Sequence, residues 1–198
     1  MKQTLILASQ SKRRAQILKS CGIRHKIIVS GVSEKFHRRL HPKELVLHNA
    51  REKAKSVAKK LNSGIVLGCD TLVLFKSQPI GKPKNVKYAR KMLECFSGKK
   101  ISVYTGLCLI DVSGAKQAQA VAKSQLWVSK IPPQELDRFL PFLGPYDKAG
   151  GFSIEGAGSI IFDNIRGSYF NILGLPMYAL AVLFRKIGLN ILDFMHKR

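Results

Sequence analysis

Two groups of residues in this chain have the types and spacing for chemistry on an anion. The first is Ser9-Gln10-Ser11-Lys12-Arg13-Arg14, which follows the apolar run Leu5–Ala8 and precedes Ile17, Leu18 and Cys21 on one helical face. A strand entering a helix in this way presents free backbone N–H groups, hydroxyls and the positive end of the helix dipole. Guanidiniums add planar, bidentate contacts to phosphate oxygens. A capped helix with exposed basic residues explains the same pattern, and the G-x-x-x-x-G-K spacing of a Walker loop is missing. The second group is the carboxylates, which are few: 12 Asp and Glu in 198 residues. Asp70 closes the apolar run Ile65–Cys69 and precedes Thr71. A carboxylate at that point lines a cleft or bonds loop amides, because an unpaired charge in a core is costly.

Further candidates surround these. Lys53 falls on the stripe Ala50, Ala54, Val57 of a helical segment, where a lysine either snorkels to solvent or reaches across a cleft to an anion. Lys82 stands in the stiff turn Gly81-Lys82-Pro83, and Glu34 is a loop acid after Gly31. Asp147-Lys148-Ala149-Gly150-Gly151 and Glu155-Gly156 lie in a Gly-rich stretch suited to close approach of a ligand. No Ser/His/Asp or Cys/His arrangement is present. The five histidines cluster mostly at 25–48 without metal-ligand spacing and read as surface residues.

The elements that must position these residues follow from periodicity. Strands are expected at Leu5–Ala8, Ile27–Val29, Ile65–Cys69 with Thr71–Phe75 continuing it, and Ser159–Phe162. Ile101–Ile110 and Gln119–Val128 read as a hairpin through Val112–Lys116. Helices are expected after Ser11, closed by Gly22, and from Pro42 through Leu61. Others carry Val86 to Phe96, follow Pro132-Pro133, and run from Pro176 through Ile187. Strands and helices mix without strict alternation, which predicts an α/β fold with a mixed sheet in a single architectural unit, residues 1–198, without a separable linker.

Composition narrows the class. The chain is 45% hydrophobic and 23% charged, as a globular domain is, and its net charge is +22. Residues 1–100 hold 24 basic and 5 acidic side chains, a net of +19, so nucleic acid and phosphorylated small molecules are both candidate partners. The basic segments carry no interleaved aromatics and no zinc-finger or RNA-binding signature. Cys21, Cys69, Cys95 and Cys108 form no C-x-x-C pair, which argues against zinc and for reduced thiols in a cytoplasm. Neither a membrane span nor a secretory signal is expected.

The sequence resembles the Maf family of nucleoside triphosphate pyrophosphatases over nearly its whole length. The segments that carry the likeness are Leu5 to Arg14, Ala50-Arg51-Glu52-Lys53-Ala54, Gly68-Cys69-Asp70-Thr71 and Gly81-Lys82-Pro83. Ser97-Gly98, Tyr104-Thr105-Gly106, Asp147-Lys148-Ala149-Gly150 and Gly167-Ser168-Tyr169 leading to Gly174-Leu175-Pro176 extend it in order. The resemblance implies an inosine-triphosphatase-like α/β fold, a mixed twisted sheet flanked by helices, in two lobes with a central cleft, and a homodimer. It implies hydrolysis of a nucleoside triphosphate to monophosphate and diphosphate with a divalent metal such as magnesium or manganese. By matching position, Asp70 would accept the proton of the attacking water, and Glu34 with Asp70 would hold the metal. Ser9, Arg13, Arg14, Lys53 and Lys82 would hold the triphosphate. Arg13, Thr71 and Glu155 match the positions linked to choice of base. Arg13 and Thr71 resemble the branch acting on dTTP and UTP, with a house-cleaning role that keeps unwanted nucleotides out of nucleic acids. Glu155 resembles the branch acting on 7-methyl-GTP. A third reading is a nucleic-acid-binding or division-regulating protein that works through its basic half.

Overall fold

The structure, a computed structural model, describes residues 3–34, 41–143 and 149–196. Asp147 and Lys148 lie outside them. Strand β1 (Leu5–Leu7) is wholly apolar and wholly buried. Helix α1 (Lys12–Ser20) starts where the Ser11 hydroxyl accepts from the Arg14 amide, and it ends ahead of Gly22, whose φ of 72° takes the chain into the left-handed region. Strand β2 (His25–Ile27) then pairs parallel to β1, with Leu5 opposite His25 and Leu7 opposite Ile27. This is two residues earlier than the expected Ile27–Val29. The strand is a partly exposed edge, so burial left little apolar pattern to mark it.

Helix α2 (Pro42–Ala58) has Pro42 in its first turn and a reciprocal cap between His41 and Glu44. It leads to strand β3 (Ile65–Phe75), parallel to β1 with Leu5 opposite Ile65. The expected run Ile65–Cys69 and its extension are thus one strand, and Asp70 sits in its interior rather than at its end. Two-residue strand β4 (Gln78–Pro79) folds back on β3 through Lys76 and Ser77, both at positive φ. Helix α3 (Val86–Phe96) occupies the expected span.

Strands β5 (Lys100–Asp111) and β6 (Lys116–Val128) are neighbours joined by a short turn in which Asp111 accepts from the Gly114 amide at 3.0 Å. Helix α4 (Pro133–Leu143) follows. The strand expected at Ser159–Phe162 is instead a 3-10 helix at Gly156–Ile161, followed by strand β7 (Phe162–Arg166). β7 pairs antiparallel with β6 and is mostly exposed, so its polar sequence Phe-Asp-Asn-Ile-Arg concealed it. Short helix α5 (Tyr169–Ile172) and α6 (Met177–Lys186) complete the main elements.

The strands form one mixed seven-stranded sheet in the order β2-β1-β3-β5-β6-β7, with β4 on β3. The chain packs into two compact units, one of residues 1–71, 104–122 and 173–198, the other of residues 72–103 and 123–172. In the first unit Ile6, Ala8 and Val66 of the sheet bury against Ala50, Ala54 and Val57 of α2. In the second, Ala89, Leu93 and Phe96 of α3 pack with Ile101, Val128, Leu136 and Ile161. Each fully buried large side chain contributes ~1.5–3 kcal/mol. None of the four cysteines is in a disulfide.

Two glycines set the position of α2. A Cβ on Gly68 of β3 would collide with the Ala50 carbonyl oxygen and lie 2.8 Å from the Ala54 amide. A Cβ on Gly106 of β5 would collide with the Val46 carbonyl and lie 2.8 Å from the Leu47 amide. The helix backbone therefore rests directly on the sheet, which only glycine permits at these points.

Candidate active site

The close seat of α2 carries two side chains, one helical turn apart, onto Asp70. Lys53 Nζ donates to Asp70 Oδ1 at 2.8 Å, to Glu34 Oε1 at 2.6 Å and to the Cys69 carbonyl at 3.3 Å. Its three protons thus meet three acceptors. Asn49 Nδ2 donates to the other Asp70 oxygen, Oδ2, at 3.1 Å. Asn49, Lys53 and Asp70 are each about 5–6% exposed, whereas the Glu34 side chain is 62% exposed. Lys53 therefore does not snorkel; it is the buried counter-ion of a buried carboxylate.

Burial pushes the Asp70 carboxyl above its ordinary 3.8. The Lys53 charge and the bonds from Lys53 and Asn49 oppose that rise, and the nearby Glu34 charge adds to it. For Glu34 partial burial also acts upward, but the Lys53 hydrogen bond and charge, with the Arg14 charge behind them, hold it below its ordinary 4.5. Two carboxylates on one ammonium are thus pushed in opposite directions, Asp70 up by burial and Glu34 down by Lys53. Burial pushes the adjoining Cys69 thiol up to about 11, so it stays protonated and packs as a small apolar group.

Arg14 organises the other half of the site. It is 9% exposed, and its guanidinium donates from Nε to the Gly174 carbonyl at 2.9 Å. Nη1 donates to Ser9 Oγ at 3.1 Å and to the Cys69 carbonyl at 2.9 Å, and Nη2 to Thr71 Oγ1 at 2.9 Å. Arg14 is thus a strut tying the start of α1, the middle of β3 and the turn at Gly174 together. Gly174, at φ 94°, leaves room for Thr71, since a Cβ there would stand 3.2 Å from Thr71 Oγ1. Ser9 Oγ also accepts from the Ser11 amide at 3.2 Å. Both lone pairs are then occupied and the O–H remains to donate, the polarity an anion requires. Thr71 Oγ1 shares a 3.0 Å hydrogen bond with Thr105 Oγ1 of β5.

Of the residues singled out in the sequence, Ser9, Arg14, Glu34, Lys53, Asp70 and Thr71 form one connected set in the first unit. Arg13 lies in the first turn of α1, which contains no acid. Lys82 and Glu155 belong to the second unit. Glu155 is exposed, and the Ser153 hydroxyl donates to its carboxylate at 3.3 Å while accepting from its amide at 3.1 Å. Sequence reading missed Asn49 and Thr105 as partners of the site. The available signal for Asn49 was an amide four residues before Lys53 within the apolar face formed by Leu45, Val46 and Ala50.

The donor set bears on a metal. Two carboxylates converging on one cation, with water and phosphate oxygens to complete the shell, suit magnesium, which takes one or two protein carboxylates beside a nucleotide. Among the described residues no cluster of three or more His, Cys, Asp or Glu exists.

A buried aspartate ion-paired with a lysine thus lies in the same unit as a hydroxyl-rich, basic helix start on a mixed α/β sheet. The profile of the Maf-like protein family matches residues 4–187, and the chain belongs to that family. It is 37% identical over 190 residues to the dTTP/UTP pyrophosphatase of Methanosarcina barkeri, covering 96% of each chain. It is 38% identical over 192 residues to the dTTP/UTP pyrophosphatase of Caldicellulosiruptor bescii, covering 95% of this chain and 96% of the relative. In fold it is similar to a HAM1 protein from Coxiella burnetii, with a TM-score of 0.50 at 14% identity over 93% of this chain and 99% of the other. No helix among the described residues is long and apolar enough to cross a membrane.

Proposed function

We infer that this chain is a nucleoside triphosphate pyrophosphatase acting on dTTP and UTP. The observation that carries the reading is the buried Asp70–Lys53 pair at 2.8 Å, set in a chain that matches curated pyrophosphatases over nearly its full length. In the reaction, water attacks the α-phosphorus, the bond to the bridging oxygen of the β-phosphate breaks, and diphosphate leaves. Asp70, its carboxyl raised by burial, takes the proton of the attacking water. Ser9 donates a hydrogen bond from its hydroxyl to a phosphate oxygen, and the N-terminal end of α1 with Arg13 adds positive potential. Lys53 keeps the two acids together and supplies charge next to the reacting phosphate. Arg14 fixes Ser9 and Thr71 in place. Lys82 is assigned to the triphosphate and Arg13, Thr71 and Glu155 to choice of base on the strength of their matching family positions.

Glu34 and Asp70 would hold a divalent cation such as magnesium or manganese. When bound, that ion neutralises charge building on the phosphate oxygens. The family resemblance extends to a homodimer.

The test is Asp70→Asn, assayed for diphosphate release from dTTP and UTP with magnesium or manganese. The expected result is a folded protein with turnover reduced by at least ~10²-fold, the scale of a lost general base. Turnover near that of the wild type removes Asp70 from the mechanism. Absence of triphosphate hydrolysis in the wild type, with strongly salt-dependent binding of DNA or RNA, would favour the basic half of the chain as the working surface instead.

A further inference from the structure

We propose that Asn49 is a positioning residue for the reaction, holding the Asp70 carboxylate in a single orientation through its side-chain amide. The proposal rests on the assignment of Asp70 as proton acceptor.

Asn49 and Lys53 stand four residues apart on α2 and so project from the same face. They grip opposite oxygens of one carboxylate, Asn49 on Oδ2 at 3.1 Å and Lys53 on Oδ1 at 2.8 Å. A carboxylate held at one oxygen alone can still swing about its Cβ–Cγ bond; held at both, it cannot. The two grips differ in kind. Lys53 also serves Glu34 and the Cys69 carbonyl, so its position follows three acceptors at once. The contact at Oδ2 comes from a neutral amide on a helix whose backbone rests on Gly68 and Gly106. Asn49 is therefore the part of the clamp that neither a bound phosphate nor a divalent cation has reason to draw away.

The burial of Asn49 reinforces this. At 5% exposure, among Leu45, Val46 and Ala50, an amide must spend its hydrogen-bonding groups on protein partners. An apolar residue would fill the same space at no such cost. What the amide adds is direction at Asp70.

The test compares Asn49→Leu, which keeps the heavy-atom count and branching but loses the donor, with Asn49→Asp, which keeps the shape but replaces the donor by an acceptor. Groups that orient a functional carboxylate typically cost ~10–100-fold in activity when removed. Both variants are expected to lose kcat on that scale, counted per folded molecule, Asp more than Leu, with KM for dTTP close to wild type. Adding Asn49→Leu to Asp70→Asn should cause no further loss. Retention of kcat within about twofold by Asn49→Leu overturns the proposal, as does a loss that follows KM or the folded fraction instead of kcat. Asp70→Asn separates the two ideas: if it stays active, the proton-acceptor assignment fails; if it is inactive while Asn49→Leu is normal, only the positioning role fails. A measurement on the wild type stands independent of variant folding. The Asn49 side-chain amide should show slow hydrogen exchange and an NMR shift that moves when Asp70 becomes Asn. Rapid exchange with an unmoved shift refutes the contact.

Discussion

Replacing Lys53 by Met removes the ammonium shared by two carboxylates while keeping the length of the side chain. The stability cost falls mainly on the Asp70 side, because the Asp70 side chain is 8% exposed and that of Glu34 is 62% exposed. An exposed pair is worth at most ~1 kcal/mol, whereas stripping the partner from a buried charge costs ~3–5 kcal/mol. The variant is therefore expected to lose about 3–5 kcal/mol at pH 8. The loss should shrink on acidification. Asp70 already has its carboxyl raised above 3.8 by burial, and without Lys53 it climbs further, so a proton can replace the missing ammonium. A raised group contributes stability that is fully present below the unfolded value of 3.8 and is lost as pH climbs through the folded value. Glu34, held below 4.5 by Lys53, works the other way, its contribution present above 4.5 and lost as pH falls. Removing Lys53 abolishes the Glu34 contribution and enlarges the Asp70 one, and both changes make the variant relatively more stable in acid. Each pKa unit corresponds to ~1.4 kcal/mol. Urea unfolding of wild type and variant at pH 5, 6, 7 and 8 reads the difference directly. A stability gap that is constant over this range, or below about 1 kcal/mol at pH 8, would refute the account of a buried, lysine-dependent carboxylate.

Two other substitutions probe the framework. Gly68→Ala drives a methyl into the Ala50 carbonyl of α2, a neighbour that cannot rotate away, so a loss near the top of the ~1–3 kcal/mol range for overpacking is expected, with reduced turnover because α2 carries Asn49 and Lys53. An unchanged urea midpoint would show that the helix can lift off the sheet freely. Thr71→Val keeps the shape but removes the Thr71 hydroxyl that accepts from Arg14 Nη2 and bonds Thr105 Oγ1, for ~1–3 kcal/mol in chemical denaturation. If the midpoint does not move, the Arg14 strut is not an energetic unit.

Much of the fold was legible because its main elements obey local rules. Pro42 and the apolar stripe through Val57 marked α2, Val86 to Phe96 marked α3, and the two long runs either side of Val112 marked β5 and β6. The failures were edge strands. β2 and β7 each pair along one side only and are largely exposed, so neither needs alternating apolar residues, and the apolar Ser159–Ile161 was drawn into a 3-10 helix instead.

The sequence by itself determined which chemical groups exist and in what order: a hydroxyl-rich helix start, a lysine on a buried stripe, an acid in an apolar run, and few other acids with which to replace it. Those facts depend on residue type and short spacing, which the chain carries locally. It could not determine that Lys53 holds Glu34 and Asp70 together, that Asn49 takes the second Asp70 oxygen, or that Arg14 faces protein carbonyls and hydroxyls on nearly every donor. These contacts join residues 5 to 160 positions apart. They form only when α2 settles against Gly68 and Gly106 and brings both donors within hydrogen-bond reach of β3, a distance that packing sets and no local pattern encodes.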